Sequence, residues 1–240
     1  MNKQPVYYMQ TDARWKNKDY STKGESTTIG ASGCGPTCAA MVIETMTGKK
    51  FTPVDACAWS LANGYKALRQ GTYYSYFVPQ FKKFNIKCEQ LNWTNLYGKT
   101  SDPMHAKVFS MLKEGYYIIA CMGKGNWTSS GHFVLLWWVD GKVRINDPNS
   151  KSDSRMNGDL SLFKSQVKYY WAIDAREFNK EEDMEYYKTI NDVPTAYRPS
   201  VKKLMDNGSL KGVGGNVINV SEDFCRIMTV LDREGMFDKK

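Results

Sequence analysis

The spacing of apolar positions divides the chain into three stretches. Up to about residue 35 the apolar residues are isolated among Ser, Thr and Gly, with Gly24, Gly30, Gly33 and Gly35 marking a turn-rich segment. The period then changes. Ala39, Ala40, Val42, Ile43 and Met46 recur at helical spacing behind Pro36, a first-turn proline, and Gly48 is placed to end that helix. A second helix is predicted from about Val54 to Ala62, between Thr52-Pro53 and Asn63-Gly64, and a third from about Met104 to Glu114.

Beyond Gly115 the pattern becomes that of a sheet. Tyr116–Met122, His132–Val139, Lys142–Asn146 and Val167–Asp174 read as strands. Asp140-Gly141 is a two-residue hairpin signal, which sets Val139 opposite Lys142, Val134 opposite Asp147 and His132 opposite Asn149. A Lys- and Glu-rich stretch from Asn179 to Asp183 breaks the pattern and predicts a boundary. One helix is expected from near Val193-Pro194 to Asn207-Gly208. A last one, capped by Ser221, carries Phe224, Ile227, Met228 and Leu231 on one face until Gly235. The predicted class is α+β, with a domain over residues 1–178 and a small α-helical module over 186–240.

Composition narrows the function. With 240 residues and 42% apolar content the chain can bury a real core. The longest apolar run, Phe133–Val139, is far short of the roughly 20 residues that span a bilayer, so no membrane partner is expected. The first residues, Met1 to Tyr8, contain no apolar signal segment, so a cytoplasmic location is expected. The charge of +8 favours an anionic partner. The basic residues are scattered and no nucleic-acid motif accompanies them, so no nucleic acid is expected and an anionic polymer such as a bacterial wall fits as well.

Six cysteines contain no Cys-x-x-Cys pair, and there are only two histidines, so neither a metal nor a cofactor is expected. The Asn-x-Ser/Thr sites at Asn92, Asn126, Asn207 and Asn219 carry little weight without glycosylation. Lys211-Gly-Val-Gly-Gly lacks the residues of a phosphate loop and reads as a turn.

One cysteine stands apart. In Ser32-Gly-Cys-Gly-Pro-Thr-Cys, Cys34 sits at the start of a helix, where unpaired N–H groups and the helix dipole favour the thiolate. Gly33 and Gly35 leave room for a substrate backbone to approach. Cys38, one turn further on, is expected in the core. The hairpin register makes His132 and Asp147 diagonal neighbours, a base beside its orienting carboxylate. His105, in the polar segment Asp102-Pro-Met-His, reads as a solvated bystander.

Cys34 before a helix, Gly131-His132-Phe-Val on a strand and Asn146-Asp147-Pro148 at the end of the next resemble a papain-like cysteine peptidase. More narrowly they resemble the double-glycine leader peptidase type, the bacteriocin-processing family and its free-standing relatives, and Tyr8-Met-Gln-Thr-Asp-Ala-Arg-Trp resembles the opening of those relatives. The resemblance covers about residues 7–174. It implies Cys34 as nucleophile, His132 as base and then acid, Asp147 as its orienter and Gln10 as oxyanion donor, with Gly33, Gly35 and Gly131 beside the substrate.

Residues 186–240 resemble a helical module of wall amidases and phage endolysins from Gram-positive hosts. Its two short helices must pack on each other, on the catalytic domain or on a partner chain, a homo-oligomer being one form of the last. The implied function is amide hydrolysis in bacterial peptidoglycan, as an endolysin. A peptidase acting on a protein or leader peptide, a transglutaminase-like acyl transferase and an inactive wall-binding module are the alternatives.

Overall fold

The computed structural model describes residues 2–157, 159–179, 186–212 and 217–237. The expected boundary at 179–183 and most of the 211–215 turn lie outside the described residues. By its internal contacts the chain divides into two compact units, Met1–Lys180 and Glu181–Lys240.

In the first unit the elements run α1 (Ile29–Ser32), α2 (Cys34–Thr47), α3 (Pro53–Ala62), α4 (Phe77–Lys82), β1 (Cys88–Gln90) and α5 (Pro103–Lys113). They continue as β2 (Tyr117–Met122), β3 (His132–Val139), β4 (Lys142–Asn146), α6 (Asp153–Met156), α7 (Leu160–Gln166), β5 (Val167–Ile173) and α8 (Arg176–Asn179). The strands form one antiparallel sheet in the order β1-β5-β2-β3-β4. Val139 pairs with Lys142 and Leu135 with Asn146, the register the Asp140-Gly141 turn predicts. Both turn residues have positive φ (50° and 74°), the geometry a two-residue hairpin requires.

The sheet is covered on both faces. Ile119, Cys121, Phe133, Leu135, Trp137 and Trp171 alternate toward one apolar cluster, shared with α2, α3 and α4. Ile118, Ala120, Met122, Val134, Leu136 and Tyr170 alternate toward the other, with α5 and α7. A strand buried on both sides has no polar face to show, which is why β2 and β3 read as unbroken apolar runs in the sequence. Helix α2 is buried along its first ten residues and packs against β3. Its start is therefore held over the sheet rather than exposed to solvent.

Helix α2 begins at Cys34, two residues before Pro36, and follows α1 after the single residue Gly33. Strand β1 and helix α4 were not foreseen. They belong to the segment that leads from α3 to the edge of the sheet.

In the second unit are β6 (Tyr186–Tyr187), α9 (Arg198–Asp206), β7 (Val220–Ser221) and α10 (Glu222–Arg233). Ser221 Oγ accepts from Phe224 N at 3.1 Å, the expected cap. Helix α9 starts later than Pro194, because the chain first turns at 191–197 and the Arg198 side chain donates to the Asn191 and Val193 carbonyls. The small core gathers Tyr187, Val193, Val201, Ile218, Val220 and Cys225. On α10 the buried positions are Cys225 and Thr229 rather than the Ile227 stripe, a rotation of the helix relative to its expected face. Among the described residues no helix is long and apolar enough to cross a membrane.

Candidate active site

Cys34 is the first residue of α2, and Gly33 before it provides no side-chain cap; Pro36 carries no N–H, Thr37 N donates to Gly33 O, and the Gly35 N–H faces the Cys34 sulfur. A side chain at Gly33 would meet Ile29 O at 2.6 Å, which ties this glycine to the tight α1–α2 junction. A side chain at Gly35 would meet Phe133 and Thr72 at 3.3–3.4 Å. Both glycines are buried, and the room they leave is filled by the chain's own atoms. Neither is among the residues that line the cleft holding Cys34 and His132. Gly131, by contrast, is exposed at the lip of that cleft, which has a volume of about 420 Å³.

His132 opens β3 and is 6% exposed, and Asp147 follows β4 and is fully buried. His132 Nε2 lies 2.7 Å from Asp147 Oδ1. With Nε2 so engaged, Nδ1 is the ring nitrogen left to act on the Cys34 sulfur, which shares the cleft with His132. Asp147 is fixed from three further sides. Its Oδ1 accepts from Asn149 N at 2.7 Å, and its Oδ2 faces Arg155 Nη1 at 3.3 Å. Tyr7 donates its hydroxyl to the Asp147 carbonyl at 2.7 Å. Arg155 and Tyr7 were not singled out in the sequence. Each is one polar residue in a polar stretch, and only the closed fold brings them to Asp147.

The electrostatics follow from this arrangement. Burial pushes the Cys34 thiol up, but the hydrogen bond and charge of His132, with N–H groups of Phe133 and Gly35, outweigh it and leave the thiol below its ordinary value. Burial likewise pushes His132 down, yet the hydrogen bonds and charges of Asp147 and Cys34 raise it to about 9. The pair therefore favours thiolate and imidazolium together, the charge state of an activated cysteine nucleophile. Cys38 and Cys57 are buried and pushed well up, as inert core thiols are. Cys38 is the core residue its helical position predicts.

Gln10 is 4% exposed and is seated between two backbone groups. Its N–H donates to Pro148 O at 2.7 Å and its Nε2 donates to Gly30 O at 2.8 Å. It thus joins the end of β4 to the turn before Cys34, but it does not line the cleft wall formed by Cys34 and His132. One N–H of its amide is committed to Gly30, and one is left.

His105 is not a bystander in solvent. It is 3% exposed, with Nδ1 at 3.0 Å from the Tyr170 hydroxyl and Nε2 at 3.0 Å from Lys99 O. The polar start of α5 hides the fact that this side chain turns inward between α5 and β5. It is a satisfied core histidine and is not among the residues that line the cleft. Among the described residues no three His, Cys, Asp or Glu side chains gather to hold a metal ion.

No curated protein matches the chain. A family model does: the one described as the Peptidase_C39 like family, over residues 6–178, a stretch that includes every residue of the cleft. That match covers well over half of the sequence, and the chain belongs to the Peptidase_C39-like family of cysteine peptidases.

Proposed function

We propose that this protein is a cysteine-dependent amide hydrolase of papain-like architecture whose substrate is bacterial peptidoglycan. The observation that carries the catalytic part is the buried Cys34–His132–Asp147 chain, with its 2.7 Å His132–Asp147 bond, opening into a cleft. The Cys34 thiolate adds to the amide carbonyl carbon. The oxyanion forms against the Cys34 N–H at the start of α2, with Gln10 holding the Gly30 turn that precedes it. His132 gives its proton to the leaving nitrogen, the C–N bond breaks and a thioester to Cys34 remains. His132 then takes a proton from water, the hydroxide adds to the thioester, and the carboxylate product leaves as the thiolate is restored. Asp147 holds the imidazole through Nε2 during both proton transfers.

The wall substrate is supported by the charge of +8 and by the separate 181–240 unit, whose sequence resembles modules of wall-lytic enzymes. In this reading the chain is a phage or prophage endolysin, and its second unit targets the wall. Incubation with purified wall tests the proposal. Cys34-dependent release of new amino groups without new reducing ends is expected. Reducing ends, or no product at all, contradict it. A chain ending at Lys180 should retain Cys34 reactivity but sediment with intact walls far less than the full chain, by roughly 100-fold if tethering sets local concentration. Equal sedimentation of both forms contradicts the targeting role.

A further inference from the structure

The cleft holds two cations that the chemistry above does not use. Arg69, exposed, and Lys168, half-buried on β5, both line it, Lys168 beside Gly131, where a Cβ would sit 3.8 Å from its Nζ. Lys168 Nζ donates to the Tyr74 hydroxyl at 3.4 Å. Among the described residues no Asp or Glu lines the cleft. The charges nearby are already matched: Cys34 with His132, and Asp147 with His132 and Arg155. Neither Arg69 nor Lys168 has a carboxylate partner among the described residues.

Arg69 is also held in place. Its backbone is left-handed, with φ of 55°, a conformation in which the Cβ of a non-glycine residue crowds the backbone. Glu25 Oε2 accepts the Arg69 N–H at 2.6 Å, and Glu25 Oε1 is 2.7 Å from Lys66 Nζ. The Lys66 ammonium, on a side chain only 1% exposed, spends its other donors on the Ala67 and Gln70 carbonyls at 2.8 and 2.6 Å. A satisfied, buried ion pair thus clamps the 67–71 loop and presents Arg69 and Gln70 to the cleft. This is pre-organisation of the kind a binding site requires.

We propose that Arg69 and Lys168 form a carboxylate-binding subsite beside Cys34, which selects stem peptides bearing a free carboxylate close to the amide that is cut. The inference rests on the wall-hydrolase reading and names the feature of the wall that is recognised. Two positive groups with no internal counter-ion, lining one cleft with no acidic residue on its walls, attract an anion.

The test uses the full chain and follows alkylation of Cys34 by mass spectrometry. Iodoacetate and iodoacetamide differ by one carboxylate, so the ratio of their rates reads the field at the sulfur. Arg69→Gln/Lys168→Gln should lower that ratio roughly 5-fold or more at low salt, and the difference should shrink at 0.5 M salt. Lys82→Gln/Lys142→Gln removes the same charge from outside the cleft and should leave the ratio unchanged. In a second arm, soluble muropeptides with free carboxylates should protect Cys34 in the wild-type chain, and the same fragments amidated should not. A ratio unchanged in the cleft variant, or protection that ignores amidation, overturns the subsite while leaving Cys34 as nucleophile. Protection by an acetylated glutamate-rich L-peptide but not by muropeptides keeps the subsite and overturns the wall reading. Failure of either reagent to label Cys34 overturns the catalytic reading and the subsite with it.

Discussion

Replacing Asp147 by Asn exchanges one carboxylate oxygen for an NH2 group and removes the charge, and the surroundings of Asp147 dictate the consequence. In the native site Oδ1 accepts from both His132 and Asn149 N, while Oδ2 faces Arg155. An asparagine can keep its oxygen toward His132 only by aiming its NH2 at the Arg155 guanidinium, donor against donor. Flipped, it aims NH2 at the Asn149 N–H and at His132. Either way a buried donor loses its partner. The native field raises His132 from 6.5 to about 9, worth roughly 3 kcal/mol at 1.36 kcal/mol per pH unit. The Asp147 carboxylate and the Cys34 sulfur share that preference. Loss of the carboxylate therefore forfeits on the order of half of it, and a misaimed imidazole adds a comparable factor. The expected fall in kcat/KM for Asp147→Asn is roughly 100-fold, with the alkaline limb of the pH profile moving down from about 9. Adding Arg155→Met removes the opposing donor and should recover part of the loss. The assay is kcat/KM against pH from 5 to 10 for the three proteins. A fall of less than threefold for Asp147→Asn, with the alkaline limb still near 9, would refute the reasoning.

Cys34→Ala should abolish turnover, whereas Cys38→Ala should retain it and lose only thermal stability; a dead but folded Cys38→Ala would reverse the assignment. His105→Ala should lower stability by about 2–3 kcal/mol through two lost hydrogen bonds and a buried void, with kcat preserved in the folded fraction. Thermal melts with parallel rates check this, and an unchanged melt contradicts the buried placement. Glu25→Gln leaves the buried Lys66 ammonium without its counter-ion, and the carboxyl that Lys66 holds down at about 2 is gone. The 67–71 loop should then open, and limited trypsin should cut after Arg69 faster than in the native chain; equal cutting rates contradict the clamp.

Much of the fold was legible because its signals are local. The Asp140-Gly141 turn needs only two residues, and from it the register of β3 on β4 follows without further information. The placement of Cys34 at a helix start was legible for the same reason, since its setting is the seven-residue stretch Ser32 to Cys38. Strand β1 was not legible, because three residues with one exposed position carry no period. The burial of His105 was not legible either, since its partner Tyr170 lies 65 residues away and the flanking Asp102 and Lys107 give a polar helix start. The Lys66–Glu25 pair was hidden by composition: charged residues are most often exposed, and nothing nearby marks these two as a couple.

The central claim is that His132 makes Cys34 a thiolate near neutral pH, and the rate of Cys34 alkylation by iodoacetamide across pH 4 to 10 measures it directly. Peptide mapping separates Cys34 from the other five cysteines. Cys34 should react first by a wide margin, with a rise well below the ordinary thiol range, and in His132→Ala that rise should move up because burial is then opposed only by backbone N–H groups. A rate at Cys34 that rises only near the ordinary thiol value, and does so equally in His132→Ala, would contradict the account.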